Sequence, residues 1–130
     1  MQMARAMLKD LQVRFAVFRD CAPLAIGIDK QLLARSPELD RKTLRMALRL
    51  HTASVRYLKA MTQASVRLDL DGNAAGEVPE EHRKHASETL RERFRKEAEQ
   101  RKAQQAAAEA ERLRLEKLNQ LAAKFARPRN

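Results

Sequence analysis

The chain has no tryptophan, one tyrosine and four phenylalanines among its 130 residues. Its core therefore has to be built from Leu, Ala, Val, Ile and Met rather than from stacked rings. The single cysteine, Cys21, has no partner for an internal disulfide, which fits a reducing compartment and a small buried side chain. Three glycines and four prolines leave little punctuation, so long helices are expected. No apolar run is long enough to span a membrane. The opening "MQMARAMLKDLQVRF" is interrupted by Arg5, Lys9, Asp10 and Arg14, which a signal peptide would not tolerate. A cytoplasmic protein with no membrane partner is expected. Also missing are a glycine-rich phosphate loop, a Ser/His/Asp set and a pair of carboxylates in apolar surroundings. Neither an enzyme nor a cofactor is expected.

What the chain does have is positive charge. Its 27 Lys+Arg against 17 Asp+Glu give a formal net charge of +10. An anionic partner follows, nucleic acid ahead of a membrane surface. Residues 80–130 alone carry a net +5, half of the excess.

Along the chain, Met3, Met7, Leu11, Phe15 and Phe18 recur at helical spacing and predict one amphipathic helix over residues 3–18. "DCAP" ends it, and Ile28, Leu32 and Leu33 suit a short helix. Asp40 is placed to cap a helix beginning at Arg41. In "DRKTLRMALRLHTASVRYLKAM", Leu44, Ala47, Leu48 and His51 share one face, with Arg45, Arg49 and Arg56 beside it. The hydroxyls of "HTAS" mark a helix break, with Thr52 or Ser54 capping the helix that follows. A helix start ringed by arginines suits a phosphate.

"RLDLDGNAAGEV" imitates a calcium loop. With Gly72 at the sixth position, Asp69 and Asp71 fall correctly, but Arg67 and Val78 occupy two principal ligand positions. The better reading is a β-hairpin, with Val66, Leu68 and Leu70 inward and Arg67 outward around a tight Asp-Gly turn. Pro79 then opens a last helical region. Ala86, Leu90 and Phe94 should pack on the domain, whereas beyond about Glu97 the composition suits an isolated helix or a fraying tail with a weak leucine stripe. The expected division is residues 1–97 as a domain and 98–130 as a basic extension.

His82 and His85 lie three apart but lack a third metal ligand, and read as a surface pair. His51 reads as a packed histidine. The arginines have a bland reading too, as a solvated helix face. Against it, Arg45, Arg49 and Arg56 have no acidic residue four positions away, Tyr57 adds a ring or hydroxyl beside Arg56, and Arg67 can join the same surface. These features alone do not separate RNA from DNA.

"FAVFRDCAPLAIGI", "LRMALRLHTASVRYLKAM" and "RLDLDGNAAGEV", in this order and spacing, resemble the ProQ/FinO family of bacterial RNA chaperones from about residue 11 to residue 95. The resemblance implies a mainly α fold with a small β-hairpin, the FinO-like domain, followed here by a long C-terminal helix or a partly disordered basic tail. It implies binding of small RNAs and messenger 3′ regions through terminator-like hairpins with single-stranded 3′ tails. Carried over by motif, the RNA-contacting residues would be Arg45, Arg49, Thr52, Ser54, Arg56, Tyr57 and Arg67, with Arg41 and Lys42 peripheral. The chain departs from the pattern at Ala25, in a slot that is often basic, at His51, where tyrosine is common, and at Val55. It resembles a minimal member and a monomer is expected. The rival reading is a basic helical interaction protein that binds an acidic partner, or DNA, without RNA specificity.

Overall fold

The structure, a computed structural model, describes residues 1–126; the end of the expected extension, 127–130, lies outside the described residues. The chain divides into two units, Met1–Arg91 and Glu92–Asn130. Its elements are α1 (Gln2–Arg14), α2 (Ala16–Arg19), α3 (Ile28–Arg35), α4 (Arg41–Thr52), α5 (Val55–Gln63), β1 (Val66–Leu68), β2 (Ala74–Glu77) and α6 (Glu80–Ala126). The fold is mainly α with one small hairpin, as the sequence implies.

The expected first helix is two helices. Phe15 is extended, with φ −126° and ψ 124°, and separates α1 from α2. Two carbonyls near the end of α1 are satisfied by a side chain: the Arg19 guanidinium donates to Gln12 O at 3.1 Å and Val13 O at 2.8 Å. The break lets both Val17 and Phe18 turn inward, while Phe15 packs at the core's margin. Met3, expected on the apolar stripe, is exposed; Ala4 is the buried residue there. Ala4 is small, as is the buried Ala47 of α4, and α1 packs closely on that helix.

Phe18, Leu11, Leu32 and Leu44 are fully buried. Each contributes roughly 1.5–3 kcal/mol through burial of its side chain. Leu58, Met61, Leu70, Val78, Ala86 and Leu90 extend the same cluster. Gly27, at φ +83°, starts α3 in a left-handed conformation that a residue with a Cβ rarely adopts. Asp40 caps α4: its carboxylate accepts from Thr43 N at 3.0 Å and from the Thr43 hydroxyl at 2.6 Å. Those two bonds hold the Asp40 carboxyl below its ordinary pKa.

The hairpin pairs Val66 with Glu77 and Leu68 with Ala74, so β2 carries one residue more than β1 between the pairs. Gly76 at φ +122° lies in that bulge. Asp69 builds the turn by accepting the amides of Asp71 and Asn73, each at 2.9 Å. Its oxygen therefore serves the loop's own backbone. Leu68 also bridges in parallel to Leu24, with Leu68 N donating to Pro23 O and Ala25 N to Leu68 O. Expected alternation holds at Leu70, which is buried, but Val66 is 39% exposed.

In the second unit, all residues from 101 to 126 are exposed and helical. Leu113, Leu115, Leu118 and Leu121 are about half exposed and Phe125 more so. Phe94, expected to pack, is 44% exposed, because the core cluster closes at Leu90.

Candidate nucleic-acid interface

On α4, burial of Leu44, Ala47 and His51 dictates which way the other residues face. Arg41, Arg45 and Arg49 follow at intervals of four, and Thr52 three further on, so they form one stripe beside the buried face. Three other segments meet this stripe. Arg45, Arg49 and Thr52 line an open pocket of about 400 Å³ together with Leu24, Tyr57 and Arg67. A second pocket of about 340 Å³ adjoins it through the shared Arg45 and includes Arg41, Lys30 and Asp29. Lys42, Ser54 and Arg56 line neither of these pockets. Lys42 and Arg56 are exposed surface charges.

The Leu24 backbone holds the pocket's wall in place. Its N–H donates to the Tyr57 hydroxyl at 3.2 Å, and its carbonyl accepts from Arg67 Nη1 at 2.9 Å. Tyr57 is 6% exposed, so its ring is not a stacking platform, although the residue lines the pocket. That hydroxyl accepts from Leu24 and keeps its own proton to donate. Arg67 does not project freely from the hairpin as the alternation predicts. It is partly buried, and beyond Leu24 it bonds His82 Nδ1 at 2.9 Å. The bridge between Leu24 and Leu68 draws this strand edge against the loop.

The two hydroxyls of the α4–α5 turn have different jobs. Ser54 caps α5, accepting from Tyr57 N at 3.3 Å and donating to His51 O at 2.7 Å. Thr52 is not a cap for α5: its hydroxyl donates back to Leu48 O at 2.9 Å, which leaves its lone pairs as acceptors beside the arginines. By helix geometry the amides of Val55 and Arg56 have no intrahelical acceptor.

His51 lies beneath this site. Its ring is fully buried, 5.0 Å from Phe18 and 5.4 Å from Tyr57 between centroids. Burial, and then the charge of Arg56, push its pKa down, so the ring is a neutral packing element.

Electrostatically the site is unbalanced. Among the described residues, none of Arg41, Lys42, Arg45, Arg49, Arg56 and Arg67 is in an ion pair. Arginine donors, a tyrosine proton and a threonine acceptor together suit phosphate oxygens and ribose hydroxyls. His82 has its Nδ1 occupied by a cation, which does not suit metal ligation, and no cluster of three metal-ligating side chains exists among the described residues. No helix among them is long and apolar enough to cross a membrane.

Two contributors escaped the sequence reading. The Leu24–Ala25 segment has no polar side chain to announce it, because it acts through its backbone. Lys30 was visible as a cation, but its approach to Arg41 and Arg45 depends on how α3 meets α4.

A sequence profile of the ProQ/FINO family matches residues 1–104. An RNA chaperone ProQ from Shewanella pealeana is 47% identical over 73 residues, covering 54% of this chain and 34% of the relative. An RNA chaperone ProQ from Aliivibrio fischeri is 42% identical over 91 residues, covering 68% of this chain and 44% of the relative. The chain thus aligns with less than half the length of these relatives. The crystal structure of a FinO-like RNA chaperone from Neisseria meningitidis MC58 superposes with a TM-score of 0.65 at 29% identity, covering 70% of this chain and 78% of that one. Matched by the family profile over residues 1–104, the chain belongs to the ProQ/FINO family.

Proposed function

We propose that this chain is an RNA-binding chaperone that works in the cytoplasm as a monomer, protecting structured RNAs or promoting their pairing. Its ligands on this reading are small RNAs and messenger 3′ regions, bound as terminator-like hairpins with single-stranded 3′ tails. The observation that carries it is the convergence of Arg45, Arg49 and Arg67, none of them in an ion pair, with Tyr57 and Thr52 on one open pocket. Arg41, Lys42 and Arg56 extend the charge around it for the A-form stem, whose phosphates are recognised by shape. Ser54, by ordering the first turn of α5, supports a seat for the 3′ end. Residues 1–97 form the binding domain on this reading, and 98–130 a basic extension.

The test compares a terminator hairpin, the same hairpin without its 3′ tail, and duplex DNA in gel shifts at several salt concentrations. Preference for the tailed hairpin is expected, with affinity falling by a log–log slope of about −0.9 per duplex phosphate neutralised. Equal binding to all three ligands would remove the RNA specificity. Affinity that does not change with salt would remove the electrostatic mechanism.

A further inference from the structure

Arg67 differs from the other arginines of the pocket in being held by neighbours. Nη1 donates to the Leu24 carbonyl and Nη2 contacts His82 Nδ1, both at 2.9 Å, while Nε is buried without a partner. Arginine can only donate, so the imidazole nitrogen is the acceptor, and the His82 ring is neutral with its proton on Nε2. The choice of partner matters. A carboxylate in this place would orient the guanidinium equally well but cancel its charge. A neutral imidazole orients it and leaves the full positive charge facing the pocket. The buried Nε adds to the effect, since less water surrounds this guanidinium to screen it.

We propose that His82 is a positioning residue for anion binding: through Nδ1 it fixes Arg67 against a phosphate or ribose oxygen of RNA without neutralising it. The inference rests on the RNA reading above and adds a residue from the first turn of α6 to it. His82 is itself exposed and touches the pocket only through Arg67, so it acts on the ligand indirectly.

Its test uses the full chain and a tailed terminator hairpin. His82→Ala should weaken binding about three- to tenfold, the size of one positioning hydrogen bond. His82→Asn, whose amide oxygen offers an acceptor near the same place, should bind within about twofold of wild type. His82→Glu should bind at least as weakly as His82→Ala, because it keeps the tether and loses the net charge. In an Arg67→Ala background, His82→Ala should cost nothing more. A spectroscopic signature accompanies these: the Arg67 Nε–H resonance should be protected from solvent exchange in wild type and His82→Asn, and unprotected in His82→Ala. Three results would each overturn the proposal. One is wild-type binding by His82→Ala while Arg67→Ala is weakened. Another is His82→Asn as weak as His82→Ala, and the third is a His82→Ala loss that persists without Arg67. Failure of the RNA reading itself looks different, since wild type would then show no preference for the tailed hairpin.

Discussion

Among the described residues Arg45 and Arg49 on α4 are in no ion pair, whereas Arg95, Arg112 and Arg114 on α6 are each in at least one. Arg95 pairs with Glu92 and Glu99, Arg112 with Glu109 and Glu116, and Arg114 with Glu111, all three or four residues apart. These hydrogen bonds raise the pKa of the three arginines and lower those of Glu92 and Glu111. The pairs are exposed and screened by solvent, so they add little to the stability of the helix. Their larger consequence is to mute the tail's field toward a polyanion. On the proposed reading, unpaired charge beside a concave surface marks where RNA docks better than the number of basic residues does.

Arg67→Ala should test the pocket side of this contrast with the largest effect, because it removes both a proposed ligand contact and a brace. RNA binding should weaken by about 1–3 kcal/mol. Melting temperature should fall as well, since the Leu24 carbonyl loses its donor at a cost of about 1 kcal/mol. A thermal melt beside a gel shift checks both, and an unchanged melt would mean that the brace carries no load. Strand alternation alone, which turns Arg67 outward, would leave the melt nearly unchanged.

Arg45→Ala and Arg49→Ala come next. Each should lose about 1–3 kcal/mol in RNA binding, lower the salt slope by about 1, and leave melting unchanged. Arg112→Ala and Arg114→Ala are the controls. Losses from the tail variants equal to those from α4 would erase the distinction between paired and unpaired arginines.

A smaller effect should come from unpairing the tail. Changing Glu109, Glu111 and Glu116 together to Gln should raise RNA affinity slightly at low salt, an advantage that salt removes. Deleting residues 98–130 should leave the melting transition of the remainder unchanged, because the core cluster ends at Leu90. Unfolding on deletion would make the late leucines part of a core or an oligomer seam.

The smallest expected effect lies under the pocket. His51 has a folded-state pKa below its ordinary value, so below about pH 6.5 the unfolded chain takes up a proton that the folded chain refuses. Stability should therefore fall as pH drops through that range. Denaturation curves for His51→Phe should lack this part of the slope, and an unchanged slope would assign the titration elsewhere.

Local rules were enough for much of the fold. The Asp40 cap, the short α3, the apolar face of α4, the break before α5 and the Asp-Gly hairpin all rest on contacts between residues close in sequence, where spacing translates directly into geometry. The rule failed at Phe15, where helical periodicity continued through a break. There a side chain, Arg19, supplied the hydrogen bonds that helix continuation would have made.

By itself the sequence determined that the molecule is basic, helical and nearly free of aromatic residues, and that arginines run along one flank of a buried helix face. Those properties follow from composition and from a period of about 3.6 residues. Only the tertiary structure decided what the polar groups do. It brought the Leu24 backbone between Tyr57 and Arg67, buried the tyrosine beside the pocket, turned Thr52 back onto Leu48, and set His82 against a guanidinium 15 positions earlier. Side-chain patterning can say which way a residue faces along its own element. The partner it meets is a matter of packing between elements, and backbone groups that act as partners leave no mark in the pattern at all.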